Sequence, residues 1–477
     1  MHKAVKFSLL LILALGVALP IWGADPQETT PPAGGTETPA EEDPGHFRYD
    51  GYLSARYVYR KAEIGTQDPA LTATDQDLYS QLRLDATQPL AQRYEWHVLL
   101  TARQDLDGNQ DLTGYYPYEG IGDTGSSSSK GYLYEAHFDI NHLFRPMSQL
   151  RLGRQAGTRD EPIFFDGLAA DLDLAREMIL VVYGGRAVHF FELDGTETSD
   201  RLWGAGTDMR LFEPTTLSVD YLAARDLRES DDSRLDRQIA VKIEQHFGSQ
   251  WRTLLRGRNI NGEPRDVRLR VLGAIKAAAL DISTTYFRQI RTQNELSNET
   301  SLYFDVLGQS HPFHSLDLKV RWQPGQDYAV DVGGFRRELL EEEDETPFNR
   351  QFTRTYATLE VDNLLVAGVF TILTGEQWDS ATTDVSTWGL EAGYASKSGR
   401  RPSRYSIGSY YSLYQYDYYL ELGERTRART YFLDAQVPAG EQFKFTGRFE
   451  QEQADQSNRV DGVDTFQTAR LGVRYDF

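Results

Sequence analysis

The chain has no cysteine, which removes a disulfide scaffold, a lipid-modified N-terminal cysteine and thiolate metal sites. Past Ala24 it also lacks any apolar run near the roughly 18 to 20 residues that a membrane-spanning helix requires. With a mean hydropathy of −0.52, helical membrane spans are excluded. A 3.6-residue apolar periodicity persists nowhere long enough to indicate a helical domain. Basic residues are in deficit: 50 Lys and Arg stand against 71 Asp and Glu, a net charge of −21, which argues against nonspecific nucleic-acid binding. Catalytic signals are equally sparse. There is no Gly-rich phosphate loop, and the nine histidines, among them His97, His137, His189 and His246, show no motif spacing. His311 and His314 flank Pro312 in an expected turn without a third ligand nearby.

What is present begins with an address. Two lysines within the first six residues, an almost wholly apolar stretch from Phe7 to Leu19, and Pro20 to Ala24 have the three-part layout of a secretory signal peptide. Residues 1–24 are therefore expected to be removed on export. From Asp25 to Gly45 there are five prolines, six acids and no basic residue, so this stretch reads as a flexible acidic leader. The remainder, His46 to Phe477, reads as one domain.

That domain alternates. Phe47, Tyr49, Gly51, Leu53, Ala55, Tyr57 and Tyr59 interleave with polar residues, as do Tyr94, Trp96, Val98, Leu100 and Ala102, then Leu217, Val219, Tyr221 and Ala223. Phe443, Phe445, Gly447 and Phe449 stand opposite Lys444, Thr446, Arg448 and Glu450. In the last segment Ala469, Leu471, Val473, Tyr475 and Phe477 make one face, and Arg470, Gly472, Arg474 and Asp476 the other. Period-two alternation with aromatics at 12% of residues and 27 tyrosines fits strands with one face in lipid and rings at the boundaries. The predicted fold is all-β: a transmembrane antiparallel β-barrel of the bacterial outer membrane with about 18 strands, in the range of 16–18. Its partner would be outer-membrane lipid. The terminal Phe with apolar residues at every second position resembles the C-terminal signature of bacterial outer-membrane barrels, and the resemblance implies a second partner, the barrel assembly machinery, through the strand ending at Phe477. Polar inserts at Asp105 to Gly131, Arg228 to Arg237 and Glu338 to Thr346, the last holding the acidic run Glu341 to Glu345, read as exposed loops. Asn261-Gly262 reads as a hairpin turn.

Function should sit on the inner face. Arg252, Arg256 and Arg258 lie opposite Trp251, Thr253 and Leu255, and Arg268 and Arg270 lie opposite Val267, Leu269 and Val271. A hairpin would gather these five guanidinium groups on one stretch of wall. A second cationic group, Arg56, Arg60, Lys444, Arg448, Arg470 and Arg474, falls where the barrel should close. Either cluster could serve an anionic passenger or be neutralised by lumen acids such as Glu450 and Asp476. Asp105, Asp107, Asn109 and Asp111 have the alternate spacing of a calcium loop, but Gln110 stands where the EF-hand has Gly and Tyr116 where it has Glu.

The stretch from Leu150 to Leu174 contains Gly153-Arg154-Gln155 followed by Phe165-Asp166-Gly167. It resembles the pattern of the alginate-export family of outer-membrane barrels. The resemblance implies a monomeric, Arg-lined pore of about eighteen strands for an anionic polysaccharide, with Arg151, Arg154 and Asp166 as candidate pore or barrel-wall residues. The expected activity is therefore non-enzymatic passage of anionic solutes, with an anionic polysaccharide such as alginate as the candidate, without a cofactor. The alternatives are an outer-membrane lipase or protease, and a structural or adhesive barrel filled by its own loops.

Overall fold

A computed structural model describes residues 47–64, 71–88, 93–107, 129–157, 163–188, 200–226, 234–292, 311–341, 345, 350–364, 366–380, 384–396, 402–413, 427–454 and 463–477. Phe47–Phe477 form one structural unit; the expected signal peptide and leader lie outside the described residues. The strands are β1 (Arg48–Ile64), β2 (Leu71–Thr87), β3 (Tyr94–Asp105), β4 (Ser129–Phe144), β5 (Met147–Ala156), β6 (Phe164–Ala175) and β7 (Met178–Val188). Next come β8 (Arg201–Phe212), β9 (Thr215–Asp226), β10 (Arg234–Phe247), β11 (Trp251–Ile260), β12 (Glu263–Ile275), β13 (Leu280–Gln289), β14 (Phe313–Trp322) and β15 (Tyr328–Leu339). The last are β16 (Phe352–Asp362), β17 (Val369–Ser380), β18 (Asp384–Ala395), β19 (Arg404–Leu413), β20 (Arg427–Ala439), β21 (Phe443–Ala454) and β22 (Val463–Asp476).

Each strand pairs antiparallel with its neighbours in sequence, and β1 pairs with β22, so the 22 strands close on themselves. Closure removes both sheet edges and satisfies the backbone internally, which a structure in hydrocarbon needs. The expectation of about 18 strands is thus corrected to 22. The undercount has a local cause. Several hairpins turn on two residues with no glycine or asparagine, such as Arg145-Pro146, Arg176-Glu177 and Glu213-Pro214. The apolar residues on either side then run together in the sequence, and two strands read as one. The loop expectations were also too long at their edges: Asp105 ends β3, Ser129 to Gly131 begin β4, Arg234 begins β10 and Glu338 belongs to β15.

Cross-strand rows of apolar residues cover the outside. Leu78, Tyr57 and Leu471 are paired neighbours on β2, β1 and β22, and Leu359, Leu373 and Leu390 form a row on β16 to β18. These three leucines are exposed, as are Leu269, Ile407 and Leu433, an arrangement that lipid favours and water does not. Near the short-turn end Phe247, Trp322, Tyr328, Tyr394, Tyr405 and Phe443 are exposed on the same face, as an aromatic belt at a lipid boundary would be. At the other end the connections are mostly longer. There Asn261-Gly262 makes the shortest connection, with φ of 54° and 91°, the left-handed pair that a two-residue hairpin turn takes.

The closing seam shows why particular residues stand there. The Gly51 amide donates to the Phe477 carbonyl, and the Phe477 amide donates to the Gly51 carbonyl, both at 3.1 Å. A Cβ on Gly51 would overlap the Arg83 carbonyl oxygen and press on the Phe477 ring. Gly51→Ala is expected to destabilise the folded barrel by about 1–3 kcal/mol, the usual cost of overpacking. Urea unfolding in lipid vesicles measures it.

Candidate functional site: the charged inner wall

Because side chains alternate, the face opposite the exposed leucines is the lumen face. On β10 to β12 the register sets Arg256 across from both Lys242 and Arg268, Leu254 across from Arg270, and Arg258 across from Asp266. Arg252, Arg256, Arg258, Arg268 and Arg270 therefore share one stretch of inner wall. Beside the seam Arg448 is opposite Arg470 and Lys444 opposite Arg474, and across it Arg470 is opposite Val58, which places Arg56, Arg60, Lys444, Arg448, Arg470 and Arg474 on the same face.

Carboxylates on the same or neighbouring strands answer most of these cations. Asp266 is 2% exposed. It accepts from Arg258 Nη2 at 2.6 Å and from Arg258 Nε at 3.0 Å, with Arg265 at 3.4 Å and Arg256 at 3.9 Å. Arg252 donates to Glu244 at 2.8 Å. At the seam Arg448 and Arg470 share Glu450 at 2.8 and 2.9 Å, and Arg474 donates to Asp476 at 2.6 Å while lying over the Tyr52 ring. Arg60 is held by Asp75 and Asp77, and Asp77, fully buried, also takes both arms of Arg103 at 3.0 and 3.1 Å. Arg151 binds both oxygens of Asp139 at 2.8 Å.

Three of the candidate cations differ. Arg56 lies 4.8 Å over the Tyr79 ring, and neither it, Arg270 nor Lys444 has a carboxylate partner among the described residues. Arg268 is set over the Phe287 ring at 5.2 Å. The charged wall continues beyond the residues anticipated: Lys319 and Arg321 on β14 share Asp331 at 3.3 and 2.8 Å, Arg321 also reaches Glu360 at 3.1 Å, and Arg354 pairs with Glu376. The only sequence signal for these was their phase within alternating segments. Not all of the inner wall is polar, since Phe165, Leu202 and Leu222 form a buried apolar cluster on β6, β8 and β9.

One expectation is corrected. Arg154 and Asp166 do not line the lumen. They pair with each other in the outward row next to Leu152 and Leu168, of which Leu168 is exposed, and are joined by two hydrogen bonds of 2.7 Å. Arg151 and Arg154 are an odd number of positions apart, so one strand cannot present both to the same face. The rest of that motif also serves the wall. Gly153 has φ of 119° and leaves no room for a Cβ beside the Ala136 carbonyl, and the buried Gln155 amide donates to the Gly167 carbonyl at 3.3 Å.

Of the suspected calcium loop, Asn109 and Asp111 lie outside the described residues. Asp105 accepts from the Asp107 amide at 3.1 Å and Asp107 from the Gln76 amide at 3.0 Å, so both carboxylates are engaged where the chain leaves the end of β3 beside β2. Burial, reinforced by the nearby Asp105 and Asp75, pushes the Asp107 carboxyl up to about 6. His314 faces outward and meets Glu338 at 2.6 Å.

A closed antiparallel barrel with an apolar exterior and an ion-paired interior is a bacterial outer-membrane β-barrel. No protein-family model matches the chain, and no curated protein is similar to it; the resemblance to the alginate-export family therefore has no support beyond the short motif. Among solved structures, a BenF-like porin from Pseudomonas fluorescens Pf-5 is 12% identical, with 90% of this chain and 98% of that one aligned at a TM-score of 0.43. OccK2 (OpdF) of Pseudomonas aeruginosa is 11% identical over 90% and 97%, with a TM-score of 0.42. The P pilus usher (PapC) translocation pore is 9% identical over 89% and 99%, with a TM-score of 0.48.

Proposed function

We propose that the protein is a passive outer-membrane channel whose inner wall favours anionic solutes. The observation that carries this reading is the set Arg56, Arg270 and Lys444, lumen-facing cations without a carboxylate partner among the described residues, in a chain whose net charge is −21. Ion pairs elsewhere on the wall are internally satisfied and offer a solute little net attraction. These three retain their charge for whatever passes. Guanidinium groups suit carboxylates, which they bind bidentately while remaining charged at any physiological pH. A uronate-bearing polysaccharide is the finer form of the proposal, and the short motif is its only support in the sequence. Lumen width favours it, since barrel diameter grows with strand number and 22 strands enclose more space than the 16–18 expected. In the same reading, Phe477 and the last strand are the element recognised during barrel assembly.

Purified protein in planar bilayers under a salt gradient tests the proposal. Anion preference is expected. Each unpaired cation is worth on the order of 1 kcal/mol to a unit anion passing within about 4 Å in water, so the triple variant Arg56→Gln, Arg270→Gln, Lys444→Gln should lower the anion-to-cation permeability ratio about fivefold or more. Cation preference in the wild type, or no conductance, rejects the reading.

A further inference from the structure

Four side chains on the lumen face of β3 and β4 stand in a two-by-two grid. Glu95 is directly opposite Asp139, and His97 directly opposite His137. The two imidazoles stack with centroids 4.7 Å apart. Each has one ring nitrogen already engaged: His97 Nδ1 lies 2.7 Å from Asp85 Oδ1, and His137 Nδ1 lies 3.3 Å from the Arg154 carbonyl oxygen. A neutral imidazole that donates from Nδ1 leaves Nε2 as a bare lone pair. Here both Nε2 atoms are turned toward carboxylates. His97 Nε2 is 3.4 Å from Glu95 Oε2 and 4.0 Å from Asp139 Oδ2, while His137 Nε2 is 3.8 Å from Asp139 Oδ1.

Lone pairs facing carboxylate oxygens across gaps this long repel unless a cation sits between them. We propose that His97, His137 and Asp139, with Glu95 as a fourth ligand, bind one divalent transition-metal ion in the barrel wall, for which zinc is the reference. The ligand atoms of His97, His137 and Asp139 already lie within 4.8 Å of one another. Zinc bonds of about 2.0–2.1 Å in a tetrahedral site put ligand atoms roughly 3.4 Å apart, so side-chain shifts on the order of 1 Å complete the set. Two imidazoles with two carboxylates suit zinc, copper or nickel rather than calcium or magnesium, which take oxygen ligands. The surroundings match what metal-bound histidines need, namely a carboxylate or carbonyl on the far nitrogen to fix the ring and its tautomer.

The local charge also fits. Asp85, Glu95 and Asp139 face two cations, Arg83 on Asp85 and Arg151 on Asp139, a deficit that a divalent ion reverses. Arg151 and Gln149 place three hydrogen bonds on Asp139 and leave it one site for a metal, because a carboxylate offers about four lone-pair sites. Asn141 holds the other oxygen of Glu95 at 3.0 Å, leaving Oε2 turned to His97.

The full-length barrel in detergent, stripped with a chelator, is titrated with Zn²⁺ by calorimetry and with Co²⁺ by visible absorption. One ion per chain is expected, with the intense ligand-field bands of a four-coordinate site. His97→Gln and His137→Gln should each weaken binding by about 100-fold or more, Asp85→Asn by about 10- to 100-fold as a positioning residue, and His246→Gln not at all. A protonated His97 or His137 would fill the same gap without metal. In that case no saturable binding occurs, or it survives in the His97→Gln/His137→Gln double variant, and the proposal is overturned. If the double variant does not fold, a Co²⁺ spectrum of the wild type without four-coordinate bands overturns it equally.

Discussion

Asp266→Ala is expected to destabilise the barrel by about 3–5 kcal/mol, the cost of removing one partner from a buried ionic group and leaving the other uncompensated. The carboxylate is 2% exposed and is approached by Arg258, Arg256 and Arg265. Without it three guanidinium groups on one patch of wall lose the carboxylate they share, with Arg268 directly across from Arg256. Asp266→Asn keeps the shape and removes only the charge, so it should cost nearly as much. Arg258→Ala should cost less, because Asp266 then keeps two of its three cations. Urea unfolding in lipid vesicles at neutral pH gives all three values, and an asparagine variant within about 1 kcal/mol of wild type would show that shape rather than charge holds the cluster. The same variant links stability to passage. Removing one negative charge beside three arginines should raise anion preference in bilayers while lowering stability.

Such a trade explains what could be seen in the residues alone and what could not. The alternation from Ala469 to Phe477 specifies a strand, its two faces and its place at the seam, because period-two patterning is local and one face is committed to lipid. By the same logic the phases of Arg252, Arg256 and Arg258 against Arg268 and Arg270 are local facts that need only a hairpin. Partners are not local. Arg321 and Glu360, or His97 and His137, are dozens of positions apart and meet only because 22 strands pair in one register. The ion-pair web and the histidine grid therefore have no motif spacing to betray them. Arg154 and Asp166 show the reverse error: a recognisable short pattern drew them toward the pore, whereas parity along β5 turns Arg154 to the outside.

The face assignment itself can be tested at two adjacent residues. Leu373 and Thr374 are neighbours in the middle of β17; Leu373 is exposed in the leucine row with Leu359 and Leu390, and Thr374 points to the lumen against Thr358, with their hydroxyls 3.1 Å apart. Arginine at the first position must bring a charge into hydrocarbon, at a cost of about 2–4 kcal/mol near the bilayer midplane. At the second position the same side chain reaches a wall already lined with Glu376 and Arg354, and the loss is the threonine pair alone, about 1 kcal/mol. Leu373→Arg should therefore be the more destabilising by about 1–3 kcal/mol in vesicle unfolding. A barrel surrounded by water would reverse the order, since an arginine on a solvated face costs little. Equal or inverted values would remove the lipid-facing exterior, and with it the distinction between outer and inner wall on which a conducting channel depends.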